Sequence, residues 1–190
     1  MEIVPTTIAV SVNHIHKVIF VHIPKNAGTA IKTTFFPRHS YRLDINKSMD
    51  EVDRRIVHYK SLGYKTFTVW RMDVVDRFKT AYIEDAKRVD KDCHWMRDMK
   101  WYREKDSSRF LAYLSEAEEF GGFSNCIKQV DAVRNSCGEV RQFDYNFTMS
   151  TVKHIPEVLF KRMSLPKKQS NQSGKRGVAS FFTKDVVKRI

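Results

Sequence analysis

The residues with the clearest chemical potential are Lys25, Gly28 and Thr29, which follow a short apolar run. That run, Val18 to Ile23, is rich in β-branched residues and has the composition of a buried strand. Pro24 has no N–H to give to a sheet, so we expect the strand to end there. Thr29 can begin a helix, whose unpaired N–H groups and positive dipole end attract an anion. With the Lys25 ammonium and the Thr29 hydroxyl, the pattern predicts a phosphate-binding loop in which Gly28 permits a tight turn.

The length and composition of the chain fit one globular domain, which we predict to span residues 1–190. The chain has 190 residues, of which 42% are apolar and 29% charged, so it can bury a core and does not have the composition of a disordered protein. No run approaches the ~20 apolar residues that cross a bilayer, and the N-terminus lacks the basic start of a signal peptide. The three cysteines are widely spaced and suit a reducing compartment. We therefore expect a cytoplasmic, soluble protein of bacterial or viral type without a membrane anchor.

Strand and helix patterns alternate along the chain. Thr66 to Trp70 is aromatic and β-branched and predicts a second strand, and Asp73 to about Arg88 has the apolar period of a helix. Ser48 with Glu51 three residues later is typical of a capping box that opens a short helix. This order predicts an α/β fold with a mainly parallel central sheet flanked by helices.

The loop differs from the Walker sequence, because Lys25 precedes Gly28 instead of following it. Ile23 to Ala30 instead resembles the 5′-phosphosulfate loop of sulfotransferases, in particular the carbohydrate (Golgi-type and bacterial) branch. The pattern of those enzymes is Ile-Pro-Lys-x-[Gly/Ala]-Gly-Thr-[Ser/Ala]. The resemblance implies a P-loop-like three-layer domain that uses 3′-phosphoadenosine 5′-phosphosulfate (PAPS) as co-substrate and releases 3′-phosphoadenosine 5′-phosphate (PAP). It also implies that the donor is bound by Lys25, Asn26, Ala27, Gly28, Thr29 and Ala30.

A second segment, Arg77 to Tyr82, resembles the other signature of this family, Arg-[Phe/Leu]-x-Ser-x-Tyr. In the family, a strand-end Arg and the Ser of this signature bind the 3′-phosphate of the donor, and Arg71 and Thr80 take those places here. The family's Pro is absent, and one extra residue separates the two arginines, so a gapless alignment puts Met72 at the strand end. We favour Arg71, because a guanidinium group binds phosphate with two hydrogen bonds and a thioether cannot.

The resemblance implies in-line transfer of a sulfuryl group to a hydroxyl or amine of an acceptor, which we expect to be a carbohydrate. We predict that Lys25 stabilises the negative charge that develops on the leaving phosphate. The acceptor must lose a proton, and an imidazole accepts one near neutral pH. His58 is the leading candidate for this base and His94 the second, whereas His22 lies within the apolar strand and is expected to be buried and hydrogen-bonded. No metal is expected, because Lys and Arg supply the positive charge.

The C-terminal region is basic, and we predict a mobile basic loop at residues 164–177. Within it, Lys175 and Arg176 resemble an element that holds the 3′-phosphate in cytosolic sulfotransferases; a solvated basic tail is the alternative.

The formal net charge of +12 favours a polyanionic partner. Two other functions are compatible with it, an atypical kinase-like phosphotransferase and a non-catalytic nucleic-acid-binding module. The first needs Mg²⁺ ligands, and no apolar run ending in Asp supplies them. A nucleic-acid-binding function does not explain the Lys25–Thr29 pattern, so we expect no nucleic-acid partner. The acceptor's identity and the oligomeric state are left open by the sequence.

Overall fold

The structure is a computed structural model that describes residues 9–36, 41–42, 47–91, 97–104, 106–119 and 128–161. The chain divides into two compact units. The first, which we call the sheet unit, is built from residues 7–72 and 129–171, and the second, the helical unit, from residues 73–128. The prediction of one domain over residues 1–190 stays a prediction, and the basic loop at 164–177 lies outside the described residues.

The described residues of the sheet unit form five strands, β1 Ala9–Asn13, β2 Val18–His22, β3 Tyr41–Arg42, β4 Lys65–Trp70 and β5 Tyr145–Thr148. Their order in the sheet is β3-β1-β2-β4-β5. β2, β4 and β5 pair in parallel, while β1 is antiparallel to both of its neighbours, β2 and β3. Four of the five described strands therefore run in one direction, which confirms the α/β class with a mostly parallel sheet. The P-loop-like, three-layer arrangement stays a prediction.

Two helices connect strands of this unit, α1 Gly28–Phe35 between β2 and β3 and α2 Met49–Ser61 between β3 and β4, and α6 Ile155–Phe160 follows β5. The predicted capping box at the start of α2 is confirmed, because the Glu51 N–H donates to the Ser48 hydroxyl over 3.3 Å. α2 is longer than the short helix predicted, and Tyr41–Arg42 forms a short edge strand. The extended conformation of Tyr41–Arg42 is fixed by its pairing with β1, a contact between residues that are far apart in the sequence.

An aromatic core lies between α1, α6 and one face of the sheet. The rings of Phe20 on β2 and Phe67 on β4 stack at 4.9 Å, and those of Phe35 and Phe160 stack at 4.3 Å. All four side chains are almost completely buried. Burial of such rings supplies most of the free energy that fixes α1 against β2 and β4.

The helical unit contains α3 Val74–Lys91, α4 Lys100–Arg103 and α5 Asp106–Glu119. Its core includes the fully buried rings of Trp101, Phe110 and Tyr113. The Tyr113 hydroxyl donates to the buried Asp85 carboxylate over 2.8 Å, which satisfies a polar pair inside this core. No helix of the described residues is both long and apolar enough to cross a bilayer.

Candidate functional site

The parallel register of β2 and β4 brings the predicted phosphate loop and Arg71 together. Val18 pairs with Lys65 and Phe20 with Phe67, and the same register continued past the strands sets Arg71 beside Pro24. Arg71 confirms this arrangement with a contact of its own, since its Nη1 donates to the Lys25 carbonyl over 3.1 Å. The carboxyl end of this sheet therefore carries a lysine loop and an arginine side by side, at the edge where α/β proteins bind their ligands.

The loop between β2 and α1 is tight and holds its shape with two residues in the left-handed region. Lys25 has φ 65° and Ala27 has φ 59°, although neither is glycine. Gly28, in contrast, is not in that region, so the tight turn does not depend on a left-handed glycine backbone. Left-handed conformations cost a non-glycine residue about 1–2 kcal/mol and persist where the surroundings impose them.

The Asn26 side chain anchors this loop to β4. It is fully buried, and its Nδ2 donates to the Val69 carbonyl over 2.7 Å and to the Gln129 Oε1 over 2.6 Å. Its own Oδ1 has no hydrogen-bond partner. The Asn26 side chain therefore ties the loop to the end of β4. A side chain that binds a ligand directly would reach into solvent, and this one does not.

Gln129 completes the connection to Arg71. Its Oε1 accepts from the Arg71 N–H over 2.9 Å, and its Nε2 donates to the Arg71 carbonyl over 2.9 Å. One side-chain amide thus pairs with both backbone groups of Arg71 while it also holds Asn26. This bonding fixes the backbone from which the Arg71 guanidinium extends to the loop.

The start of α1 offers backbone donors to an anion. Ala27 occupies the N-cap position, where no side chain caps the helix, and the first turn carries no acidic residue. The first N–H groups of a helix have no partner within it, and the helix dipole places positive charge there. Lys25 precedes this helix end and Thr29 lies exposed within its first turn. The residues that carry backbone donors, an ammonium and a hydroxyl therefore lie in one short segment, which has the composition of a phosphate site.

His22, the last residue of β2, lies directly against the start of α1. A Cβ atom added to Gly28 would come within 1.8 Å of the His22 Nε2. Burial, and after it the positive charges of Lys32, Lys25 and Arg42, together lower the pKa of His22 to about 3. His22 is thus neutral at physiological pH. Its imidazole forms no hydrogen bond with the residues that the structure describes, whereas we expected a hydrogen-bonded side chain.

His58 lies away from this site. It is exposed on the last turns of α2, and the following residues return to the amino end of β4, where Lys17 Nζ donates to the Leu62 carbonyl over 3.4 Å. Lys65 N also donates to the Lys17 carbonyl over 2.9 Å. The end of α2 therefore lies at the edge where β2 and β4 begin, whereas Lys25 follows the edge where β2 ends. Because six strand residues span roughly 20 Å, His58 does not face the loop and we do not assign it as the base.

The remaining predicted residues are placed as follows. Met72 follows Arg71 and is 77% exposed, so the geometry favours Arg71 over Met72 as the phosphate ligand at the end of β4. Thr80 lies on α3 in the helical unit, and its hydroxyl donates to the Asp76 carbonyl over 2.8 Å. His94, Lys175 and Arg176 lie outside the described residues, so their roles stay predictions.

Two residues with clear structural roles were not singled out from the sequence. Gln129 lies more than fifty positions from Arg71, and a glutamine in a loop carries no signal that identifies such a partner. Arg42 lies on the short edge strand and acts on His22 through its charge. Its contribution depends on the pairing of β3 with β1, which the sequence pattern did not predict.

No protein-family model, curated protein or solved structure matches this chain significantly. Within the described ranges, no three His, Cys, Asp or Glu side chains come together as a group that would hold a metal ion.

Proposed function

We propose that this chain is a sulfotransferase that binds PAPS through the loop from Lys25 to Ala30 and transfers its sulfuryl group to an acceptor hydroxyl or amine. The observation that carries the proposal is the bond between Arg71 and the Lys25 carbonyl at the carboxyl end of two parallel strands. It joins the loop that resembles the 5′-phosphosulfate loop of the carbohydrate sulfotransferases to Arg71, which by the same resemblance takes the place of their strand-end arginine. The acceptor class, a carbohydrate, comes from that resemblance alone.

The chemical part of the proposal concerns Lys25 and the start of α1. In the transfer, the acceptor oxygen or nitrogen forms a bond to sulfur and gives its proton to a base, for which His94 is the remaining candidate. The bond between sulfur and the bridging oxygen breaks, and negative charge develops on the 5′-phosphate of the departing PAP. Backbone N–H groups at the start of α1 would bind this phosphate before and after the step. The Lys25 ammonium would interact most strongly when the charge is fully developed, and such an interaction raises the rate rather than the affinity.

Arg71 has a separate part in the proposal. Its backbone is held by Gln129 and its guanidinium group lies against the loop, so its position is fixed before the donor arrives. Preorganised donors cost no reorganisation when a ligand binds. By the resemblance, Arg71 would bind the 3′-phosphate, which distinguishes PAP from other adenine nucleotides.

The test is calorimetric titration of the purified chain with three ligands: PAP, ATP with Mg²⁺, and a single-stranded oligodeoxythymidine. We expect PAP to bind most tightly and without Mg²⁺, and the oligonucleotide to bind weakly with strong salt dependence. Lys25→Ala is compared with Lys60→Ala, which removes the same charge from an exposed position on α2. Tighter binding of MgATP would point to a phosphotransferase, and tighter binding of the oligonucleotide to a nucleic-acid-binding module; either result would overturn the proposal.

A further inference from the structure

The close approach of Gly28 to His22 is tighter than any side chain at position 28 would allow. An added Cβ would lie 1.8 Å from Nε2, 2.0 Å from Cδ2 and 2.7 Å from Cε1 of the His22 ring. Ordinary contacts between such atoms begin near about 3.4 Å. The imidazole therefore occupies the space that a side chain at position 28 would need, and the two cannot be present together without movement of the strand end, the ring or the helix.

The backbone on the His22 side of this contact is held by the sheet. The His22 backbone pairs with Ala9 in the sheet, and its ring lies 5.7 Å from the ring of the buried Phe20. The loop between the two is held as well, because Asn26 bonds to the end of β4. Only residues 23–27 separate His22 from Gly28, so the ring sets how closely the start of α1 approaches the end of β2.

We infer that His22 is a positioning residue of the phosphate loop, whose imidazole packs on Gly28 and sets the place of the α1 N-terminal N–H groups relative to Lys25. The inference rests on the proposed function only in its choice of ligand. A side chain at position 28 would push the helix start away from the loop and separate the donors that bind one phosphate. An uncharged ring suits this place, because an imidazolium would face Lys25, Lys32 and Arg42.

The experiment is a double-mutant cycle with the wild type, Gly28→Ala, His22→Ala and the double variant. PAP affinity is measured by calorimetry at a temperature at which circular dichroism shows each protein folded. We expect Gly28→Ala alone to weaken PAP binding about tenfold or more, as overpacking of a tight contact does. In the His22→Ala background, where the space is open, the same substitution should change affinity by less than about threefold. Equal losses in the two backgrounds, or no loss in either, would overturn the inference.

Thermal unfolding of the same four proteins separates this inference from the proposed function. If the wild type does not bind PAP, the proposed function fails, but the coupling is still read from melting temperatures. Gly28→Ala should then lower the melting temperature with His22 present and much less with His22→Ala. If Gly28→Ala does not fold, folding of the double variant supports the inference. Failure of the double variant to fold, while His22→Ala alone folds, would contradict it.

Discussion

Replacement of His22 by glutamine tests the electrostatic environment beneath the loop. The substitution removes a titratable group and keeps a polar side chain of similar length. In the folded protein the pKa of His22 is lowered to about 3 by burial and by the charges of Lys32, Lys25 and Arg42. In the unfolded chain it returns to its ordinary value of 6.5. His22 therefore makes folding stability depend on pH, and glutamine does not.

The sign and size of this dependence follow from proton linkage. Above pH 6.5 both states are neutral at His22, so the residue contributes no pH dependence. As the pH falls below 6.5 the unfolded chain binds a proton and the folded protein does not, so stability decreases until the pH approaches the folded-state pKa. Each pH unit in this window costs about 1.4 kcal/mol. At about pH 4.5, two units below 6.5, the wild type should have lost about 2–3 kcal/mol through this residue.

The assay is urea unfolding of the wild type and His22→Gln between about pH 7 and pH 4.5, followed by circular dichroism. All other acidic groups and histidines are the same in both proteins, so the difference between the two unfolding free energies isolates His22. We expect this difference to shift by about 2–3 kcal/mol in favour of His22→Gln as the pH falls. Parallel pH profiles for the two proteins would refute the neutral state of His22 and the cationic surroundings deduced for it.

Three other substitutions test the parts of the site separately. Arg71→Ala should weaken binding of PAP by about 1.5–3 kcal/mol and binding of adenosine 5′-monophosphate by less. Met72→Ala is the neutral control. Equal losses for the two nucleotides in calorimetry would show that Arg71 does not bind the 3′-phosphate. Gln129→Ala loses three hydrogen bonds and should lower the unfolding free energy by about 2–3 kcal/mol while it weakens PAP binding; unchanged values of both would show that the amide does not support Arg71. Ala27→Gly relieves the left-handed backbone at φ 59° and, after the entropy that glycine adds to the unfolded chain, should raise the unfolding free energy by about 0.5 kcal/mol; a lower melting temperature would contradict this.

The sequence predicted those parts of the structure that depend on local patterns. The apolar run before Pro24 is β2, and Ser48 with Glu51 opens α2, because strand composition and capping are properties of adjacent residues. The same holds for the second strand and the long helix α3 that follows it. The position of Arg71 at the end of the second strand also followed from local information, since it comes directly after that strand.

The parts that sequence reasoning missed depend on contacts between distant residues. Gln129 reaches Arg71 and Asn26 only through the tertiary fold. The need for glycine at position 28 is set by the His22 ring and not by the backbone of a turn. The position of His58 follows from the direction of α2, which ends at the edge where β4 begins. No periodicity within α2 reveals which edge of the sheet that is.

The most direct test of the central claim is the transfer of radiolabelled sulfur from PAPS to a panel of simple acceptors, including mono- and disaccharides and a phenol. It is measured for the wild type, Lys25→Ala and the Lys60→Ala control, together with calorimetric affinity for PAP. The account predicts transfer by the wild type and by Lys60→Ala, and a loss of about a hundredfold or more in the rate of Lys25→Ala with only a small change in PAP affinity. Equal losses of rate and affinity would assign Lys25 to ligand binding alone. Absence of both transfer and PAP binding in the wild type would contradict the account.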